Sequence, residues 1–218
     1  VDCVDPELIH ALQEARIPVV LVDAWEVDLG VDGAVQDNYT GAFTAGRWVV
    51  ERGCRNIAWA GRPVGDSTHS RERFGGAAAA LQTGGLNLAR KNILEFKTDA
   101  DPLPALRALL SRKDRPDGVM ALWQDVALAA RQAADELGLV IGRDFHLIGW
   151  AVDENYDSLY AAGFSKTADA PAIVWSATAM ADTALRRLMD RRSHPELSPQ
   201  RISVPTRLRT ADVGAKKR

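Results

Sequence analysis

Cysteine and histidine are scarce in this 218-residue chain, and long apolar runs are missing. Cys3 and Cys54 stand far apart and outside any metal-ligand spacing. That excludes a zinc module or a disulfide framework and fits reduced thiols in a cytoplasmic protein. His10, His69, His146 and His194 are scattered, and no HExxH, CxxC or GxSxG occurs, nor a glycine-rich loop of the GxGxxG or Walker kind. The chain therefore gives no reason to expect a metal, a cofactor or an enzyme. No apolar stretch reaches the roughly 18 residues of a membrane span, so no membrane partner is expected. Charge of one sign is not in excess either: 27 Lys and Arg stand against 29 Asp and Glu. Such a balance argues against this segment gripping nucleic acid by itself. No signal peptide is visible, and because the chain opens on Val1 rather than Met it is read as a piece of a longer protein.

What is present is core-forming material, 46% apolar, enough for one large domain or two small ones. Helical spacing and β-branched runs alternate along it. PELIHALQEA (6–15) reads as a helix, PVVLVD (18–23) as a buried strand, and 34–53 as a brief strand followed by a helix closed by Gly53. Strands at 56–61, 93–96, 118–123 and 145–150 then alternate with helices at about 73–84, 102–112 and 125–137. Alternation with short links predicts an α/β fold, a parallel sheet covered by helices on both faces. From 151 the rhythm breaks into an irregular stretch to 167 and a helix over 170–192, rich in arginine toward its end. A late strand follows over 201–210, where Pro205 points to an edge. Residues 214–218 form a basic tail.

In an open parallel sheet, ligands bind beyond the carboxyl ends of the strands. Those ends carry Gly61 with the loop holding His69, Arg71 and Arg73, then Phe96 and Lys97, then Trp123, Gln124 and Asp125, and finally Trp150. Aromatic faces beside hydrogen-bonding groups suit a small polar molecule such as a sugar or a nucleobase. Plainer roles stand beside this one: a strand-end tryptophan packs, Asp125 caps a helix over 126–137, and Arg71 pairs with Glu72. Arg73 is the hardest to explain structurally. At the first turn of a helix its charge opposes the dipole, which a bidentate contact to a ligand would offset.

The run AVQDNYTGAFTAGRWVVERGCRNIAWAGRP (34–63) resembles the effector domain of the lactose-repressor/purine-repressor family of bacterial transcription regulators, with Asp37, Asn38, Gly41, Ala45, Gly53, Ile57 and Gly61 on the pattern. RFGG (73–76), RPDGVMALWQDVALAA (115–130), LGLVIGRDFHLIGW (137–150) and RISVPTRLRTADV (201–213) follow in family order, so the resemblance covers nearly the whole chain. It implies a periplasmic-binding-protein-like fold of two parallel-sheet subdomains joined by three crossovers, with the effector in the cleft. The subdomains would be 1–53 plus 162–192, incomplete here, and 54–161 plus 193–213. It also implies a cytoplasmic homodimer that senses a small-molecule effector and binds operator DNA through a helix-turn-helix that this chain does not contain. Arg73 falls on the family's effector-binding arginine, His69 and Arg71 on flanking positions, Gln124 and Asp125 on a polar pair, and Phe96 or Lys97 near a stacking aromatic. The family's sugar-binding aspartate is replaced by Ala151, with Asp153 the nearest substitute, and its L-T-T motif by Phe164, Ser165 and Lys166. An arginine-and-lysine site without that carboxylate suits an acidic sugar derivative. Helix 125–137 carries one stripe of Val126, Ala130, Ala133 and Leu137, with Leu128, Ala129 and Ala134 partly off it, a second apolar face for a partner copy. The competing reading is a periplasmic-type solute receptor for transport, which would share fold and cleft but carry a signal peptide upstream.

Overall fold

Local signals set the first elements. Asp5 accepts the N–H of Glu7 at 3.0 Å and Pro6 fills the first turn, starting α1 (Pro6–Glu14). There follow β1 (Val20–Val22), β2 (Asp32–Gln36), α2 (Asn38–Glu51), β3 (Ile57–Gly61), α3 (Thr68–Thr83), β4 (Ile93–Glu95), α4 (Leu103–Leu110) and β5 (Gly118–Ala121). The chain continues through α5 (Gln124–Glu136), β6 (His146–Val152), β7 (Ala172–Trp175), α6 (Ala177–Ser193), β8 (Arg201–Val204) and β9 (Thr206–Arg209). This computed structural model describes residues 4–25, 27–164 and 171–210; Cys3, Ser165, Lys166 and the tail 214–218 lie outside them. Among the described residues no helix is long and apolar enough to cross a membrane.

Two sheets form, ordered β1-β2-β8 and β4-β3-β5-β6-β7-β9. In the first, β2 pairs in parallel with both neighbours, Ala34 opposing Val22 and Ile202. In the second, β3 runs parallel to β4 and β5, and β5 parallel to β6. The chain divides into two compact units, one running to Asp37 and joined by Trp175–Pro205, the other Asn38–Val174 joined by the chain from Thr206.

These boundaries differ from those expected, and each difference has a cause. α2 belongs with the second unit because small residues bring it against α3: a Cβ on Gly76 would lie 2.2 Å from the Tyr39 carbonyl oxygen, and one on Gly46 2.6 Å from Ala80 Cβ. The late strand is two strands in two sheets. Pro205, lacking an N–H, separates β8 from β9. The helix expected from 170 begins only at Ala177, where the Ser176 hydroxyl accepts the Ala179 N–H at 3.0 Å; the run before it is the buried strand β7. The helix expected from 73 starts at Thr68, capped by Ser67. Arg73 therefore lies beyond the first turn, where the dipole no longer sets its cost.

α4 and α5 cover one face of the larger sheet, with Leu106, Leu109, Leu110, Val126, Ala130 and Ala133 packed on Ala58, Ala60, Val119 and Leu147. Leu128, Ala129 and Leu137 pack against the same cluster. The second apolar face expected of α5 is thus partly covered inside the chain, and Asp125, Gln132, Asp135 and Glu136 face solvent. The smaller unit is tied by a buried ion pair. Arg187 Nε donates to Asp32 Oδ1 at 2.8 Å, Arg191 Nε to Oδ2 at 2.9 Å, and the Gln200 N–H to Oδ1 at 2.7 Å. Burial raises the Asp32 carboxyl, but hydrogen bonds from Arg191, Arg187 and Gln200 outweigh it and hold the group below its ordinary value.

Two outcomes follow for urea denaturation. Gly76→Ala forces α2 from α3 and lowers stability by about 2 kcal/mol or more. Asp32→Ala leaves buried guanidinium groups unpaired and costs the smaller unit about 3–5 kcal/mol. Because the folded carboxyl is depressed, its contribution is present above the unfolded value near 3.8 and is lost as pH falls through the folded one. The stability of Asp32→Asn should accordingly fall less steeply with pH below 4 than that of the wild type.

Candidate functional site

β3, β5 and β6 lie side by side in the larger sheet, and Leu122 and Trp123 just after β5 meet Arg73 together with Trp150 from within β6. Its guanidinium, on a residue only 4% exposed, donates from Nε to Asn38 Oδ1 at 2.8 Å and from Nη1 to the Leu122 carbonyl at 2.7 Å. It lies 3.9 Å from the centroid of the Trp150 ring and 4.7 Å from that of Trp123. Two glycines make room for the indoles. A Cβ on Gly41 would sit 2.7 Å from the Trp150 ring, and one on Gly61 2.4 Å from that of Trp123. Trp123 also meets Trp59 edge to face at 5.8 Å, and Trp59 meets Phe74 at 5.3 Å. The result is a planar cation set between π faces, each such contact worth about 0.5–2 kcal/mol.

The remaining sequence candidates take varied places. Gln124 is half-buried at the start of α5, next to Trp123, and its amide makes no hydrogen bond among the described residues. Asp125 caps nothing: the cap position is Trp123, and Asp125 pairs with Arg62 Nη2 at 2.5 Å. Arg62 Nη1 also reaches the Lys97 carbonyl at 3.2 Å, and Glu95 accepts the Val64 N–H at 2.9 Å, so the ends of β3, β4 and β5 are cross-linked. Phe96 is packed into the core and the Lys97 side chain is exposed. His69 lies half-buried in the first turn of α3. Arg71 is exposed and bonds its own turn through Thr68 Oγ1 at 2.9 Å. Asp153 does not replace the missing carboxylate, because Arg207 and Arg209 hold it at 2.7 and 3.0 Å. Ala151 itself is packed in the core.

Two central residues went unselected in the sequence. Trp123 stands at a strand end with both a packing and a ligand-facing reading, and Asn38 stands in the motif without a role. A polar residue directly after a strand, followed by a helix, was the available signal for Asn38. Cys54 is buried, and burial with the Asp117 carboxylate beside it pushes its thiol up to about 11. Among the described residues no group of three His, Cys, Asp or Glu could hold a metal.

Truncating Arg73 should cost stability as well as any ligand. Arg73→Ala removes two charge-assisted hydrogen bonds and leaves Asn38 and Leu122 without their donor. It should lower stability by about 3 kcal/mol in urea melts, with Arg73→Lys intermediate.

Comparison with known proteins places these features in context. A family model described as a periplasmic binding protein-like domain matches residues 47–211. The HTH-type transcriptional repressor PurR of Shigella dysenteriae serotype 1 is 32% identical over 206 residues, covering 92% of this chain. The chain spans 58% of that relative's length. Among solved structures, a regulatory protein of the LacI family from Chloroflexus aggregans matches with a TM-score of 0.79 at 23% identity, over 95% of this chain and 72% of its own. A LacI family regulator from Enterococcus faecium, solved with bound ribose, matches with a TM-score of 0.76 at 19% identity, over 96% of this chain and 75% of its own.

Proposed function

The chain belongs to the periplasmic-binding-protein-like domain family, in the form carried by regulators of the lactose-repressor/purine-repressor type, and from that premise we propose that it is the effector-sensing domain of a DNA-binding transcriptional repressor. The observation that carries the reading is the Arg73 cluster at the strand ends, where a parallel sheet presents its ligand site. The protein works without catalysis in the cytoplasm, a second copy completes a homodimer, and operator DNA is bound through a helix-turn-helix elsewhere in the full protein. The dimer rests on the family likeness, since Leu128 and Ala129 of α5, and Leu137 at its end, are already half-buried within the chain.

The ligand we propose is a small sugar or sugar derivative. Two of the Arg73 donors are committed to Asn38 and Leu122 and its planar group lies against Trp123 and Trp150, so the residue fixes the indoles in place more than it serves as an open fork. That favours a neutral, hydroxylated ligand over the acidic one suggested by an arginine-and-lysine site with Ala151 in place of the family's aspartate. Trp123 supplies an apolar face and Gln124 an unengaged amide. Ribose bound by the Enterococcus faecium regulator is consistent with this class.

The test is calorimetric titration with neutral pentoses, hexoses and disaccharides, sugar acids and sugar phosphates. A neutral sugar should saturate one site, and Trp123→Ala should weaken it about tenfold, the loss of roughly one stacking contact. If no neutral sugar binds, or Trp123→Ala binds it as well as wild type, the site is misplaced.

A further inference from the structure

The smaller unit contains a pocket of about 500 Å³ that no part of the sensing role uses. It lies at the amino ends of its strands, where Val19 leads into β1 and Val31 into β2, and the last turn of α6 supplies Arg191 and Arg192. Arg16, just past α1, completes the basic rim.

The charges here do not cancel. Asp32 is the one carboxylate in the lining, and its oxygens are already taken by Arg187, Arg191 and the Gln200 N–H. The carboxyl ends of α1 and α6 add about one negative charge between them. Against these stand the three guanidinium groups of the lining, Arg16, Arg191 and Arg192, leaving about one positive charge, with Arg187 behind them on Asp32. The donors are unspent as well. Arg191 Nη2 is buried with no hydrogen-bond partner, although its Nε and Nη1 are engaged. The side chains of Arg16 and Arg192 make no hydrogen bond or ion pair among the described residues. Arg16 is also held at φ +57°, a position just past a helix where glycine is the unstrained choice.

The geometry points to a second ligand site, for a small molecule bearing a phosphate group. The guanidinium donors of Arg16, Arg191 and Arg192 take the phosphate oxygens, and the apolar wall of Ile17, Pro18 and Val19 takes the organic part. The volume favours a phosphomonoester over inorganic phosphate, which would leave most of the pocket empty.

The test is an amide and arginine side-chain NMR titration of the 218-residue chain, with inorganic phosphate in one arm and ribose 5-phosphate in the other. Both should shift Gly30, Val31 and the Arg191 Nε–H, with ribose 5-phosphate binding about tenfold the tighter. Arg192→Ala, a residue the fold does not lean on, should weaken both about tenfold. Arg16→Gly should weaken both similarly while raising the melting temperature by a few degrees, because it relieves the left-handed backbone. Absence of saturable shifts up to roughly 20 mM, wild-type affinity in both variants, or shifts confined to the Trp123 and Trp150 indoles would each overturn the assignment.

Discussion

The larger unit is organised around the cost of taking one guanidinium out of water. A buried charge is tolerated only where the protein replaces hydration with fixed dipoles and polarisable faces. Arg73 draws those replacements from separate parts of the chain: an amide from the start of α2, a carbonyl after β5, and indole faces from beside α5 and within β6. Each must arrive in register or the charge is stranded. The glycines follow from the same demand, since Gly41 and Gly61 stand where any Cβ would displace an indole from its place. The strand-end cluster is thereby held by the fold itself, and for the ligand site proposed there that is the condition under which binding costs least in ordering.

A related device holds the smaller unit with the signs exchanged. There a carboxylate is buried, and Arg187, Arg191 and the Gln200 N–H come to it from far along the sequence. A three-stranded sheet has little apolar area to bury, and its clusters are short: Ala34, Met180, Ala184 and Val204 in one, Ile9, Leu29 and Val31 in another. With so little core, removing one partner of the ion pair matters more than it would in a larger domain.

Much of the architecture was legible because its causes are local. The β-branched runs, the Ser67 and Ser176 caps and the regular links specify alternation of strand and helix without help from distant residues. What was not legible depends on partners remote in the chain. Nothing in α2 says that Gly46 will face Ala80, so its unit could not be assigned from sequence. Asp153 looked available because Arg207 and Arg209 lie more than fifty residues on. Asp125 looked like a cap because the sequence gives no sign that Arg62 reaches it. In the site, residue types were readable and engagement was not: Arg73 was recognised, but not that its donors would be spent on Asn38 and Leu122.

That distinction decides what each arginine can recognise. Counting positive charges near a strand end suggests an acidic ligand for the larger unit, yet a guanidinium already donating inward and covered by indoles offers little to an anion, and the indoles it holds select by shape and stacking. The same residue type in the smaller unit has donors left over, and left-over donors select by charge. Ligand charge is therefore read from the hydrogen-bonding capacity that remains after the fold has taken its share. On that measure the two proposed sites differ: the one around Arg73 calls for hydroxyls and apolar ring faces, and the one beside Arg191 for an anion.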